Sequence, residues 1–165
     1  TTNGWLHCTK GVGNFGTDYL VRGMANLLGP GWNRPQDAVY PLSQKDANGN
    51  EYDGAKHKYV IRFEKGKLPP ADAFWSLTMY DEDFFFVPNP INRYDVAQRD
   101  KLITNPDGSV DMYLQADSRG KCKEVNWLPA PKGKFVLVMR IYAPKKSPPS
   151  ILDGTWTPPP VRKVP

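Results

Sequence analysis

Residues 135–142 read Phe135-Val136-Leu137-Val138-Met139-Arg140-Ile141-Tyr142. Phe135, Leu137, Met139 and Ile141 take every second position, with Val136, Val138, Arg140 and Tyr142 between them. Side chains of a strand point alternately to its two faces, so this stripe sets four large apolar groups on one side of a sheet. The same period of two recurs upstream. Tyr59, Ile61 and Phe63 alternate with Lys58, Val60 and Arg62, and Trp75, Leu77 and Met79 alternate with Phe74, Ser76, Thr78 and Tyr80. Val110, Met112 and Leu114 alternate with Asp111, Tyr113 and Gln115. An apolar face opposite a mixed one belongs to half-buried antiparallel strands.

Turn-forming segments separate these strands: Asp46-Ala47-Asn48-Gly49-Asn50, Leu68-Pro69-Pro70, Asn105-Pro106-Asp107-Gly108-Ser109 and Pro129-Ala130-Pro131-Lys132-Gly133. The third is expected to close a hairpin between residues 101–104 and 110–115. Short strands with no helices between them predict a mainly β class, an antiparallel β-sandwich or jelly roll over about residues 38–143. One N-terminal α-helix is expected over about residues 17–28. Thr17 stands as its N-cap, Leu20, Met24, Leu27 and Leu28 recur at helical spacing, and Gly29-Pro30-Gly31 ends it. Residues 144–165, with Pro158-Pro159-Pro160, are expected as an extended proline-rich arm. At 165 residues the chain is sized for a single domain.

The net charge of +5 is unevenly spread. Residues 1–99 are balanced, and the excess lies in residues 100–165, where Lys121, Lys123, Lys132, Lys134, Lys145 and Lys146 fall around turns. Solvated turn lysines explain this better than a nucleic-acid site, which needs the charge on one face or interleaved with stacking rings. No apolar run reaches the roughly 18 residues that cross a bilayer. The opening Thr1-Thr2-Asn3-Gly4 has no initiating methionine, and the chain is read as a mature or excised piece of something longer.

Gly11-Val12-Gly13-Asn14-Phe15-Gly16 matches the G-x-G-x-x-G pattern of dinucleotide sites. No buried parallel strand precedes it and no strand–helix alternation follows, so a glycine-shaped entry to the helix is the better account, and no cofactor is expected. Asp81-Glu82-Asp83 lacks the ligand count of a calcium loop and reads as a charged turn. Cys8 and Cys122 are too far apart, and His7 and His57 too poorly spaced, for a zinc site, so no metal is expected. The two thiols are read as unpaired, with a Cys8–Cys122 disulfide as the alternative in an oxidising compartment. Neither Cys8 nor any serine sits in a nucleophile elbow.

The chemistry that stands out is aromatic and amide-rich: Trp75, Tyr80, Asn92, Arg93, Tyr94, Asn126 and Trp127. Rings beside amide and guanidinium donors bind planar or sugar-like ligands by stacking and directional hydrogen bonds. The same rings can instead fill the core while the polar groups tie down loops, and this second account is preferred.

Longer blocks carry a family likeness. Phe74 to Asp81 (FWSLTMYD), preceded by Leu68-Pro69-Pro70, resembles the signature of the domain of unknown function 1214 family, DUF1214. NPINRY at 89–94, NPDGSVDMYLQ at 105–115 and NWLPAPKGKF at 126–135 resemble its later blocks, and 14–26 and 152–161 match in order and spacing. The resemblance implies a jelly-roll sandwich at the C-terminal end of exported bacterial proteins, secreted or periplasmic, behind a companion DUF1254 domain. It carries over no catalytic residues. Three roles follow as expectations. The first is a non-catalytic ligand-binding or accessory module. The second is a hydrolase-type enzyme in which Asp81, Asp83, Asp95 and His57 converge. The third is a structural domain that packs on its companion or on another copy of itself.

Overall fold

The alternating stretch at 135–142 lies within a ten-residue strand at the centre of the larger of two sheets. The computed structural model describes residues 1–29 and 31–164, apart from the side chains of residues 28 and 121–123. In chain order the described elements are β1 (Trp5–Leu6), α1 (Tyr19–Leu28), β2 (Ala38–Val39), β3 (Leu42–Ser43), β4 (Lys58–Phe63), β5 (Ala71–Asp81), β6 (Asp95–Ala97), β7 (Val110–Gln115), β8 (Trp127–Pro129), β9 (Phe135–Pro144) and β10 (Val161–Val164).

One sheet runs β1-β3-β9-β5-β6, with β2 also paired to β9; the other runs β10-β4-β7-β8. The two share a core. Leu137, Met139 and Ile141 of β9 and Trp75, Leu77 and Met79 of β5 face Tyr59, Ile61 and Phe63 of β4 and Met112 and Leu114 of β7. At one end Tyr52 stacks on Phe135 with ring centroids 4.7 Å apart, and Tyr59 meets both edge-on. Each of these large side chains contributes about 1.5–3 kcal/mol on burial, which fixes the period of two seen in the sequence.

The purely antiparallel wiring expected from the sequence is corrected at β8, which runs parallel to β7, pairing Tyr113 with Trp127 and Gln115 with Pro129. Parallel neighbours need a crossover, and residues 116–126, ending in a 3-10 turn at Lys121–Asn126, supply it. The expected hairpin is also corrected. Its turn forms, with the Ser109 carbonyl accepting from Asn105 N–H, yet residues 101–104 are not a strand. The Asn126 side chain takes the place of a ladder there, accepting from Ile103 N–H and donating to the Ile103 carbonyl, both at 2.8 Å.

The C-terminal segment, expected as an extended arm, packs onto the domain. Ile151, Trp156 and Val161 are buried, and β10 pairs with β4 from Val161↔Ile61 to Val164↔Lys58. Prolines donate nothing to a ladder, but their carbonyls remain useful. Pro158 accepts from Asn3 Nδ2 and Pro159 from the Trp5 indole, which fastens the two ends of the chain together.

The helix starts at Tyr19, with Asp18 rather than Thr17 as its cap: Asp18 Oδ1 accepts from Val21 N–H at 3.0 Å. In the loop before it, a Cβ on Gly13 would stand 2.6 Å from the backbone of Asn33 and Arg34, whereas Gly11 has open space around it. The close approach that the middle glycine permits is therefore filled by the chain's own backbone. Gly13→Ala is expected to cost about 2 kcal/mol in urea unfolding, and Gly11→Ala, with a similar positive φ but no clash, about 1 kcal/mol. Equal costs would remove the packing role given to Gly13. Cys8 is exposed, and the expectation about its pairing falls on a side chain outside the described residues.

Candidate functional site

Because Trp75, Leu77 and Met79 point into the core, Phe74, Ser76, Thr78 and Tyr80 of β5 must point away from it. Register sets Val136, Val138, Arg140 and Tyr142 of β9 beside them on one side and Asp95 and Ala97 of β6 on the other. Within these rows the outer face of the six-stranded sheet carries one cation, Arg140, and one anion, Asp95. The outer face of the four-stranded sheet is different. It shows Lys58, Arg62, Asp111 and Arg162, with Arg62 bridged to Glu64, Asp107 and Asp111. That is the surface of a sheet built to meet water.

Aromatic rings close the ends of the less charged face. At one end Phe74 stacks on Tyr142, centroids 4.5 Å apart, Tyr142 meets Tyr40 edge-on, and Tyr40 meets Trp32. The Trp32 indole donates to the Ala25 carbonyl at 2.9 Å, so this chain of rings ties α1 to the sheet. Burial, opposed by the hydrogen bond from Asn33, pushes the Tyr40 phenol above its ordinary value. At the other end, roughly 20 Å along β5, Tyr80 stacks on Phe86, and Phe86 leans on Tyr94. Phe84, Phe85 and Phe86 are all exposed, Phe85 by 70%.

Between the two ends Ser76, Thr78, Ala97 and Val136 are buried, and Arg140 is half-buried. Its Nη1 donates to Thr78 Oγ1 at 2.8 Å and its Nη2 to the Tyr80 hydroxyl at 2.7 Å, with the guanidinium 5.7 Å from the Tyr80 ring centroid. Among the described residues, no carboxylate lies within salt-bridge reach of it.

The seven candidates singled out in the sequence separate. Tyr80 and Tyr94 come together on this face through Phe86. Trp75 and Trp127 are core residues at 2% exposure, and the Trp127 indole donates to the Gln115 carbonyl. Asn126 is buried in its backbone bonds, and Arg93 donates to the carbonyls of Glu124 and Trp127. Asn92 is exposed in a turn organised by Asn89, whose side chain donates to the Val87 and Arg93 carbonyls. The less favoured reading, a stacking surface that includes Trp75, Arg93, Tyr94 and Trp127, is not formed by these four: both indoles are inside, and the guanidinium is tied to backbone carbonyls.

Nor do the four hydrolytic candidates assemble. Asp81 caps its own turn by accepting from Asp83 and Phe85 N–H, Asp95 is bridged to Arg99 at 2.6 Å, and His57 sits exposed beside Tyr59. A surface depression of about 200 Å³ lined by Gln44, Glu51, Tyr52, Glu82 and Lys134 holds none of them. A second, of about 220 Å³, lies between Arg62, Lys67 and Trp156 and holds none either.

What sequence reasoning missed is the outward stripe of α1, the exposure of Phe84 to Phe86 and the isolation of Arg140. One signal was present. Three successive phenylalanines after an acidic turn cannot all face one core, because neighbours in an extended chain point to opposite sides.

The family model described as "Protein of unknown function (DUF1214)" matches residues 37–146, from just before β2 to just past β9. The chain belongs to this family. The DUF1214 match thus takes in nearly the whole six-stranded sheet and leaves α1 and β10 outside. The crystal structure of the VPA0106 protein from Vibrio parahaemolyticus is similar, at 30% identity and TM-score 0.73, over 88% of this chain and 35% of that one. An uncharacterized protein from Burkholderia cenocepacia is more distant, at 17% identity and TM-score 0.45, over 81% of this chain and 31% of that one. The chain spans about a third of the length of these two structures. No curated protein matches it. Among the described residues no helix is long and apolar enough to cross a membrane.

Proposed function

We propose that this DUF1214 chain is a non-catalytic accessory domain that packs against a companion domain through its outward apolar surface. The observation that carries this is α1. Leu20, Met24 and Leu27 share one helix face and are 75, 60 and 88% exposed, while Ala25 on the other side is buried. Covering each large side chain contributes about 1.5–3 kcal/mol, and such patches on monomers are usually interaction sites. The choice of a companion domain is supported by the VPA0106 protein, in which about two-thirds of the chain lies beyond the matched part. A companion of the DUF1254 type, the jelly-roll wiring and a secreted or periplasmic location belong to the same proposal and rest on family kinship. The hydrolase alternative gains no support from the scattered positions of Asp81, Asp83, Asp95 and His57.

The isolated chain is expected to take up an environment-sensitive apolar dye. Leu20→Glu combined with Leu27→Glu is expected to remove most of that uptake while changing stability by only about 0.5 kcal/mol per site, as surface substitutions do. A wild-type chain that binds no dye sinks the docking role. A dimer in light scattering that the paired substitution dissociates would give the face to a second copy instead.

A further inference from the structure

We propose that Arg140 anchors a carboxylate carried by a protein segment lying across the outer face of the six-stranded sheet. This rests on the docking role above and gives the partner its chemistry. A guanidinium has five N–H donors in a planar fork that matches a carboxylate with two parallel bonds. Arg140 uses its fork on two neutral hydroxyls, those of Thr78 and Tyr80. Bonds to an ionised acceptor are roughly twice as strong. Arg62 faces Asp107 and Asp111 and Arg99 faces Asp95, while Arg162, on the other sheet, is exposed to water. Asp95, the anion in the rows of the same face, is thereby occupied. What remains is a half-buried positive charge on a strip whose anion, Asp95, is paired with Arg99, flanked by the Phe74–Tyr142 stack on one side and the Tyr80–Phe86 stack on the other.

That layout specifies an occupant. An aspartate or glutamate must reach Arg140 while apolar side chains before and after it lie on the two stacks. The stacks are roughly 20 Å apart, which an extended segment of about six residues spans. Covering the strip with such a segment removes water from around the ion pair and strengthens it.

The probe is a blocked hexapeptide with leucine at both ends and one central glutamate, compared with its glutamine twin. Binding to the full chain is followed by NMR at the Arg140 side-chain Nε–H and the Thr78 amide. The glutamate peptide is expected to shift both signals and to bind at least about ten-fold more tightly than its twin, a difference of about 1.4 kcal/mol. Arg140→Gln is expected to erase the difference between the twins, and Arg140→Lys to keep only part of it. Neither variant is expected to alter dye uptake at α1, so loss of the docking role and loss of the anchor are separate results. Equal binding of the two peptides, no binding to the wild type, or a preference that survives Arg140→Gln would overturn the assignment. Acetate shifting the same signals at the same concentration would make this a small-carboxylate site and overturn the segment.

Discussion

Trp156→Ala is expected to destabilise the domain by about 4 kcal/mol, the range found when a large buried aromatic is truncated. The ring is 4% exposed in the shared core. Its indole donates to the Lys67 carbonyl at 3.0 Å, and its backbone N–H donates to the Ser150 carbonyl at 2.9 Å. These contacts turn the C-terminal segment back toward β4, where Val161 is fully buried opposite Ile61. The loss therefore includes a cavity and a loosened β10, which leaves the β4 edge open. Trp156→Phe keeps most of the apolar contact and leaves one carbonyl beside a solvent-accessible depression, so it is expected to cost about 1–2 kcal/mol. Urea unfolding of the two variants checks the order. Deleting residues 144–165 is expected to abolish cooperative unfolding, whereas a free arm would be lost with no effect on the transition. A Trp156→Ala chain as stable as the wild type would return the segment to the role of an arm.

Much of this fold was legible because its cause is local. Leu137, Met139 and Ile141 alternate with their neighbours, and the pleat alone converts that into a buried face, whatever the partner strand. What was not legible depends on partners far away in sequence. Trp127 reads as a strand residue, yet nothing local says that its strand runs parallel to β7. That is decided by the path of residues 116–126 and fixed by its indole on the Gln115 carbonyl. Leu20, Met24 and Leu27 show a helix with an apolar stripe, but period alone cannot say which side of a helix meets its own domain. Here the small Ala25 faces inward and the large side chains face out. The aromatic and amide residues singled out in the sequence divide between the core and the surface. The preferred account, that the rings fill the core and the polar groups hold loops, describes Trp75, Trp127, Asn126 and Arg93, while Tyr80 and Tyr94 meet through the exposed Phe86. Arg140 escaped notice because an arginine on the mixed face of a strand is ordinary. Only the positions of the carboxylates show that, among the described residues, none lies within salt-bridge reach of it.

Asp46 gives the second large expected effect, and it depends on pH. Its side chain is 1% exposed and holds three things at once. One carboxylate oxygen accepts from Asn48 N–H at 2.9 Å and Asn50 N–H at 3.0 Å, and the other lies 3.4 Å from Lys163 Nζ on β10. Burial by itself raises the carboxyl pKa, but the backbone donors and the Lys163 ammonium outweigh it and hold the group below the usual aspartate range. Asp46→Ala leaves two turn amides and a partly covered ammonium without their acceptor, at an expected cost of about 3 kcal/mol at neutral pH. Because the folded-state pKa is depressed, this stability is fully present above the unfolded-state value of about 4 and is lost as pH falls through the folded-state value. The gap between wild type and Asp46→Ala is therefore expected to narrow on acidification below about pH 4, as the wild-type carboxyl takes up a proton and releases Lys163. Urea unfolding of both proteins at a series of pH values reads this directly. A gap that stays constant down to the acid limit would mean that Asp46 acts through its shape and neutral hydrogen bonds, and that its charge does not hold β10 to the turn.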